Sequence, residues 1–385
     1  VLFYNRLNYC GVIVTNPSNL INQTHIHQTY KLLIAASGTG GHVFPAIATA
    51  QKLNNYQIEW LGVPDRMETQ LLQNKYPLHT IKVGGFQKKL SLETLRVGLG
   101  LIRSVFQVRK ILQEGKFHGV FTTGGYISAP AILAAKSLGL PVILHESNAL
   151  PGKVARLFTP FCTQIGIGFP VASQHLPAGK TVMVGTPVRE AFLSPQPLDL
   201  DMPADALLIV VTGGSQGAVA LNQLVRQSLP AWLEPGAWVF HQTGTSDPDI
   251  NTFHHPHYRE VTLYDNMAGL LQRANLVIAR AGASTLTELA ISHTPSILIP
   301  YPFAAENHQA LNAEVFEEVG AAVMFEQKNL TVDQLQNTVL DLINNPTKLG
   351  KMRDATIKLA VPDSAEQIAN LIQQTISNSL GKSVG

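Results

Sequence analysis

The segment Ser37-Gly38-Thr39-Gly40-Gly41-His42 follows the β-type run Lys31–Ala36 and carries one ionisable side chain, His42. A histidine near neutral pH can take a proton from a hydroxyl about to attack an electrophile. The competing role is a helix-start residue bonded to a backbone carbonyl. Glycines at 38, 40 and 41 let the backbone approach a ligand and aim amides at an anion, helped by the dipole of a following helix. A second run, Leu207–Val211, leads into Gly213-Gly214-Ser215-Gln216-Gly217, so the strand, glycine turn and helix occur twice. The dinucleotide fingerprint needs a glycine where Val43 stands. Gly179-Lys180-Thr181 and Gly381-Lys382-Ser383 lack the earlier glycine of a Walker loop. Neither cofactor class is supported; a diphosphate held by amides and hydroxyls without Mg²⁺ stays open.

Glu288 is a carboxylate that could accept hydrogen bonds from both hydroxyls of a ribose. Thr285-x-x-Glu288 also has the form of a capping box, in which the glutamate bonds a helix-start amide. Ala305-Glu306-Asn307-His308-Gln309 with Asn312 could grip sugar hydroxyls or form a solvated helix start. Asp199-Leu200-Asp201 has an Mn²⁺-binding form but sits in a proline-rich linker. His254, His255 and His257 lack partners at matching spacing, so no metal site is expected.

Strand-like runs that must carry these turns recur at Lys31–Ala36, Ile58–Leu61, His118–Thr122, Pro141–His145, Leu207–Val211, Trp238–Gln242, Asn275–Ala279 and Pro295–Pro300. Their apolar residues are continuous, as in parallel strands buried on both faces. The fold class is therefore α/β, with ligands expected beyond the carboxyl ends of the strands. Turns at Thr123-Gly124-Gly125-Tyr126, Glu146-Ser147-Asn148, Thr243-Gly244 and Arg280-Ala281-Gly282-Ala283 would crowd that crevice. Each alone reads as a tight turn.

At 385 residues the chain is long enough for two domains. The reading gives a mobile extension over 1–30, a first domain over 31–190 and a linker over 191–205. A second domain follows over 206–361, then a last helix within 362–385 that would return to the first domain. A formal charge of +2 argues for no strongly charged partner, and nucleic acid is not expected. Two distant cysteines form no disulfide framework. No apolar stretch is long enough to span a membrane, and the first 30 residues lack a signal-peptide pattern. Residues 86–112 mix cations (Lys88, Lys89, Arg96, Arg103) with Phe86, Leu92, Leu95, Leu99 and Ile102. Such a stripe fits a helix facing the core or one lying on a membrane surface.

From Lys31 onward the chain resembles the bacterial MurG transferases. The likeness rests on Gly38-Thr39-Gly40-Gly41-His42-Val43-Phe44-Pro45, Thr123-Gly124-Gly125-Tyr126, His145-Glu146-Ser147-Asn148 and Gly185-Thr186-Pro187-Val188-Arg189. It continues through Gly213-Gly214-Ser215-Gln216-Gly217-Ala218, His241-Gln242-Thr243-Gly244, Arg280-Ala281-Gly282-Ala283 and Asn307-His308-Gln309 with Asn312-Ala313. The resemblance implies a GT-B fold, two Rossmann-like doubly wound domains facing a cleft. It implies inverting, metal-independent transfer of N-acetylglucosamine from UDP-N-acetylglucosamine to lipid I, giving lipid II, with no cofactor. His42 would be the base. Thr39, Gly40, Gly41, Gly124, Gly125, Tyr126 and Asn148 would bind acceptor.

The resemblance also implies a donor set. Thr39, Gly40, Gly41 and Asn148 would belong to it too, with Arg189, Gly214, Ser215, Gln216, Gly217, Met267, Ala283, Ser284, Thr285, Glu288, Gln309 and Asn312. Phe86, Lys88, Lys89, Leu92, Leu95, Arg96 and Arg103 would dock on an anionic membrane at the cytoplasmic face of the plasma membrane, where other cell-wall proteins are implied partners. Departures are His308, where some relatives have glutamine, Tyr264 in place of an aliphatic residue, and the N-terminal extension. Two rivals are a UDP-N-acetylglucosamine 2-epimerase of GT-B fold and a silent membrane-associated scaffold.

Overall fold

The computed structural model describes residues 29–84, 92–198 and 200–381, with 92–97 described by backbone alone. Phe86, Lys88, Lys89, Asp199 and residues 1–28 lie outside it. Tyr30, assigned to the extension by sequence, already opens the first strand.

The first domain runs β1 (Tyr30–Ala35), α1 (Gly40–Ala50), β2 (Tyr56–Gly62), α2 (Met67–Leu71), β3 (Leu78–Thr80), α3 (Leu92–Glu114), β4 (Gly119–Thr122), α4 (Ser128–Ser137), β5 (Val142–Glu146), α5 (Lys153–Phe158), β6 (Gln164–Ile167) and β7 (Thr181–Met183). The second runs β8 (Leu208–Thr212), α6 (Val219–Leu233), β9 (Trp238–Gln242), β10 (Tyr258–Val261), α7 (Met267–Arg273), β11 (Leu276–Ala279), α8 (Ala283–Ile291), β12 (Ser296–Leu298), α9 (His308–Glu318), β13 (Ala322–Met324), α10 (Val332–Ile343) and α11 (Pro346–Ile357), before α12 (Ser364–Gly381).

Both sheets are parallel throughout, ordered β3-β2-β1-β4-β5-β6-β7 and β10-β9-β8-β11-β12-β13. This is the doubly wound topology expected from the buried apolar runs. Alternate residues of β1 serve opposite faces: Leu32 and Ile34 join one core, Leu33 and Ala35 the other. In each sheet the strand order reverses at the first strand, between β1 and β4 and between β8 and β11. The turns after these four strands therefore flank the crevice where such folds bind ligands.

The crossing between domains starts before residue 191. Val188 and Phe192 pack with Leu208, Leu270 and Leu286 of the second core. The chain then returns: Ile368, Ile372 and Ile376 of α12 join Leu32, Ile34 and Phe121 beneath the first sheet, and Lys52, in the turn after α1, pairs with Glu366 at 2.7 Å. Ile372 is wholly buried. Ile372→Ala is expected to destabilise the chain by about 2–5 kcal/mol, read as a lower thermal midpoint.

Candidate active site

His42 lies in the first turn of α1 with its ring over the turn after β4. Its Nδ1 is 2.7 Å from the Thr123 carbonyl oxygen, while the Thr123 hydroxyl donates to the His42 carbonyl at 2.9 Å. A carbonyl only accepts, so Nδ1 carries the hydrogen and the neutral ring has its lone pair at Nε2. The carbonyl-bonded reading and the base reading are thus compatible, since the bond selects the basic tautomer. Gly124 and Gly125 have φ of +94° and +76°, and a Cβ on either would meet the His42 ring at 3.3 and 3.7 Å. These glycines make room for the ring. Tyr126 is exposed at the rim beside them.

The first glycine loop is braced from below. Glu68, fully buried on α2, accepts from the Gly38 amide at 3.2 Å and the Val63 amide at 2.9 Å. Trp60 donates to the Ala36 carbonyl at 2.8 Å. Thr39 precedes α1 without capping it by its side chain, which leaves the Gly40 and Gly41 amides at an open helix start.

Across the cleft, α8 starts at Ala283 immediately after β11, with Gly282 before it. Ser284 Oγ is buried without a partner and lies 3.5 Å from where a Cβ on Gly41 would stand, so the starts of α1 and α8 face each other closely. Thr285 is in the same first turn. Glu288 is not a capping glutamate, because α8 begins too early. Only 18% of its side chain is exposed, and Arg189 Nη2 donates to its Oε1 at 3.2 Å. Burial raises the Glu288 carboxyl above its ordinary pKa, against the opposing pull of Arg189. The Arg189 guanidinium sits 5.2 Å from the Phe44 ring centroid and 5.1 Å from that of Phe192.

The second glycine loop exposes Ser215 and Gln216. Their carbonyls accept from the Thr245 and Ser246 amides at 3.1 and 3.2 Å. Gly214 and Gly217 both have φ of +86°, and a Cβ on Gly217 would collide with the Thr243 carbonyl. A buried polar network sets the partner turn. Asn222 donates to the Thr243 carbonyl and to Asp247, each at 2.9 Å, and Arg226 bonds both Asp247 and Glu260 at 2.5 Å. His241, bonded to Asn222 and Tyr258, is pushed down to about 3 by burial and then by Arg226, so it is neutral. Met267 opens α7, and Gln309 opens the α9 wall with its Oε1 bonded to the Tyr301 amide at 2.9 Å.

Residues 32–167 match the glycosyltransferase family 28 N-terminal domain, and residues 208–368 the family 28 C-terminal domain. A UDP-N-acetylglucosamine–N-acetylmuramyl-(pentapeptide) pyrophosphoryl-undecaprenol N-acetylglucosamine transferase of Trichodesmium erythraeum is 58% identical over 92% of this chain and 95% of its own length. The chain belongs to the MurG transferases of glycosyltransferase family 28. A relative of the same description from Gloeothece citriformis is 60% identical over 89% of the chain and 95% of its own length. The crystal structure of Acinetobacter baumannii MurG superposes with a TM-score of 0.75 at 30% identity, covering 90% of this chain and 99% of that one. The MurG fold is GT-B, as the two sheets and their cleft display.

Within this MurG-family site, one expected donor residue is placed differently. Asn312 is fully buried on α9, with every polar atom bonded to protein groups at the domain seam. It is not open to a ligand in this arrangement. Glu68 and the Asn222–Arg226–Asp247–Glu260 network are supports that sequence reasoning missed, and Glu146, present there only as part of a turn and a motif, proves to be a third. Among the described residues, no group of three or more His, Cys, Asp or Glu is arranged for a metal ion. Leu92, Leu95 and Arg96 lie in the first turns of α3, whose side chains are outside the described residues. Farther along α3, Leu99, Ile102 and Phe106 face solvent beside the exposed Arg103. The opposite side, Val108 and Leu112, packs inward. The core-facing reading of the Leu99–Ile102 stripe is therefore overturned.

Proposed function

We propose that this chain transfers N-acetylglucosamine from UDP-N-acetylglucosamine to the C4 hydroxyl of the muramoyl pentapeptide of lipid I, giving lipid II. The observation that carries this reading is the fixed tautomer of His42, whose Nε2 has no hydrogen-bond partner among the described residues and whose helix start faces that of α8. In the reaction the O4–C1 bond forms as the bond from C1 to the UDP oxygen breaks, and the hydroxyl proton passes to His42 Nε2. Attack opposite the leaving group turns an α-linked donor into a β-linked product. The leaving diphosphate gains negative charge, which open amides at helix starts stabilise without a metal.

In this reading the acceptor meets Tyr126, Gly124, Gly125 and Asn148, while Glu288, Arg189, Ser215, Gln216 and Gln309 face the donor. The test is UDP release from UDP-N-acetylglucosamine with and without a lipid I analogue, in EDTA. Release that depends on the acceptor and persists in EDTA is the expected result. Epimerised sugar from donor alone would establish the 2-epimerase instead, and no UDP release under either condition would point to a scaffold.

The solvent-facing stripe on α3 supports docking on an anionic bilayer at the cytoplasmic face of the plasma membrane. Phe106, 67% exposed, would enter the headgroup region and Arg103 would meet anionic lipid. The double variant Phe106→Ser/Arg103→Glu is expected to bind anionic vesicles about tenfold more weakly. Sedimentation with vesicles measures this, while turnover of a water-soluble acceptor should be unchanged.

A further inference from the structure

We infer that Asn312 is a positioning residue, placing the acceptor-side Asn148 from the opposite domain. The inference rests on the transferase reading above. Asn312 sits on α9 of the second domain and is 0% exposed. Its Oδ1 accepts from the Ala149 amide at 2.8 Å. Its Nδ2 donates to Asn148 Oδ1 and to the Ala281 carbonyl, both at 3.2 Å. The Ala149 amide can only donate and the Ala281 carbonyl can only accept, so these backbone groups dictate which way the Asn312 amide points. That in turn dictates Asn148. Its Oδ1 must face Asn312, and its Nδ2 donates to Glu146 Oε1 at 2.9 Å. Glu146, also buried, holds the Asn148 amide at 3.0 Å through Oε1 and the Gly152 amide at 3.1 Å through Oε2.

One Nδ2 hydrogen of Asn148 is left for a substrate, in an orientation held from two sides, by Glu146 of its own domain and by Asn312 of α9. Gln309 lies one helical turn before Asn312 on α9, so both project from neighbouring positions of one helix. A single rigid element thus joins the donor-side wall to the acceptor-side amide. The seam is part of the working geometry, because separating the domains would leave Asn148 held by Glu146 alone, with its Oδ1 unpartnered.

Asn312→Asp keeps the shape and the acceptor for Ala149, but removes both donors and opposes oxygen to oxygen at Asn148 and Ala281. The expected result is a fall in kcat/KM for a lipid I analogue of about ten- to a hundredfold, with UDP affinity by calorimetry unchanged. In a double-mutant cycle with Asn148→Ala, the double variant should be no slower than Asn148→Ala alone. A merely structural role would give additive losses, or a matching loss of UDP affinity, and either overturns the proposal. Hydrogen exchange provides an arm independent of turnover: Asn312→Leu should speed exchange of the 146–152 amides, and unchanged protection there also overturns it. Wild-type protein that releases no UDP with the analogue would overturn the transferase reading, and exchange would still judge the seam.

Discussion

His42→Ala is expected to lower kcat on a lipid I analogue by about a hundred- to ten-thousandfold, the range of a lost general base. The KM for UDP-N-acetylglucosamine should change little. The magnitude follows from the local geometry. The Thr123 carbonyl holds Nδ1–H at 2.7 Å, which directs the neutral ring's lone pair through Nε2. Alanine removes that lone pair and leaves a space over Gly124 and Gly125 that water fills without a comparable acceptor. The glycine loop itself should persist, because its braces from Glu68 and Trp60 do not involve His42. Steady-state kinetics with UDP binding measured alongside would decide it. Near wild-type kcat would remove His42 from the base role, and loss of UDP binding would show that the ring supports the loop instead.

The parts of this molecule that sequence makes legible are those whose physics is local. β1, β4, β5, β8 and β11 are buried on both faces, so their apolar residues run without interruption. The glycine turns that end β1, β4, β8 and β11 advertise themselves by composition. The strands β3, β7, β10 and β13 escaped because they are short edge strands and partly exposed, as Thr181–Met183 and Arg259 of β10 illustrate; β6, an interior strand, escaped because Gln164-Ile165-Gly166-Ile167 carries only two large apolar residues. α3 presents apolar residues on two faces, and periodicity alone cannot say which face the core takes. The supporting roles of Glu68 and Glu146 are hidden for a different reason. A buried carboxylate satisfied by backbone amides leaves no sequence pattern. Asn312 and Ala149 are 163 residues apart, so their bond depends on how two domains meet. Local signals locate the strand ends; the seam and the supports beneath the loops arise only when the domains pack.

Glu288→Gln is expected to weaken UDP-N-acetylglucosamine binding by about ten- to a hundredfold, the worth of a charge-assisted hydrogen bond. It should also erase the acid limb of the donor KM. In the free protein burial raises the Glu288 carboxyl pKa, and Arg189 offsets only part of that. To accept two ribose hydroxyls the group must be ionised. Donor affinity should therefore fall as pH drops through the raised pKa, in a window that opens above the ordinary 4.5. Glutamine has no such titration, so its donor KM should be high and flat across that window.

The stability consequence has the opposite sign. A raised carboxyl pKa means that the folded state holds the proton more tightly than the unfolded chain does. Stability from this group is present below 4.5 and is lost as pH rises through the raised value. At neutral pH the ionised Glu288 therefore costs the fold something, and Glu288→Gln should leave the thermal midpoint unchanged or slightly higher. The Arg189 guanidinium, whose side chain is 33% exposed, can turn to water when its partner is neutralised. Weaker donor binding with undiminished stability is the signature of a carboxylate kept for its ligand. A parallel loss of both would mean that Glu288 serves the Arg189 contact at the domain junction instead.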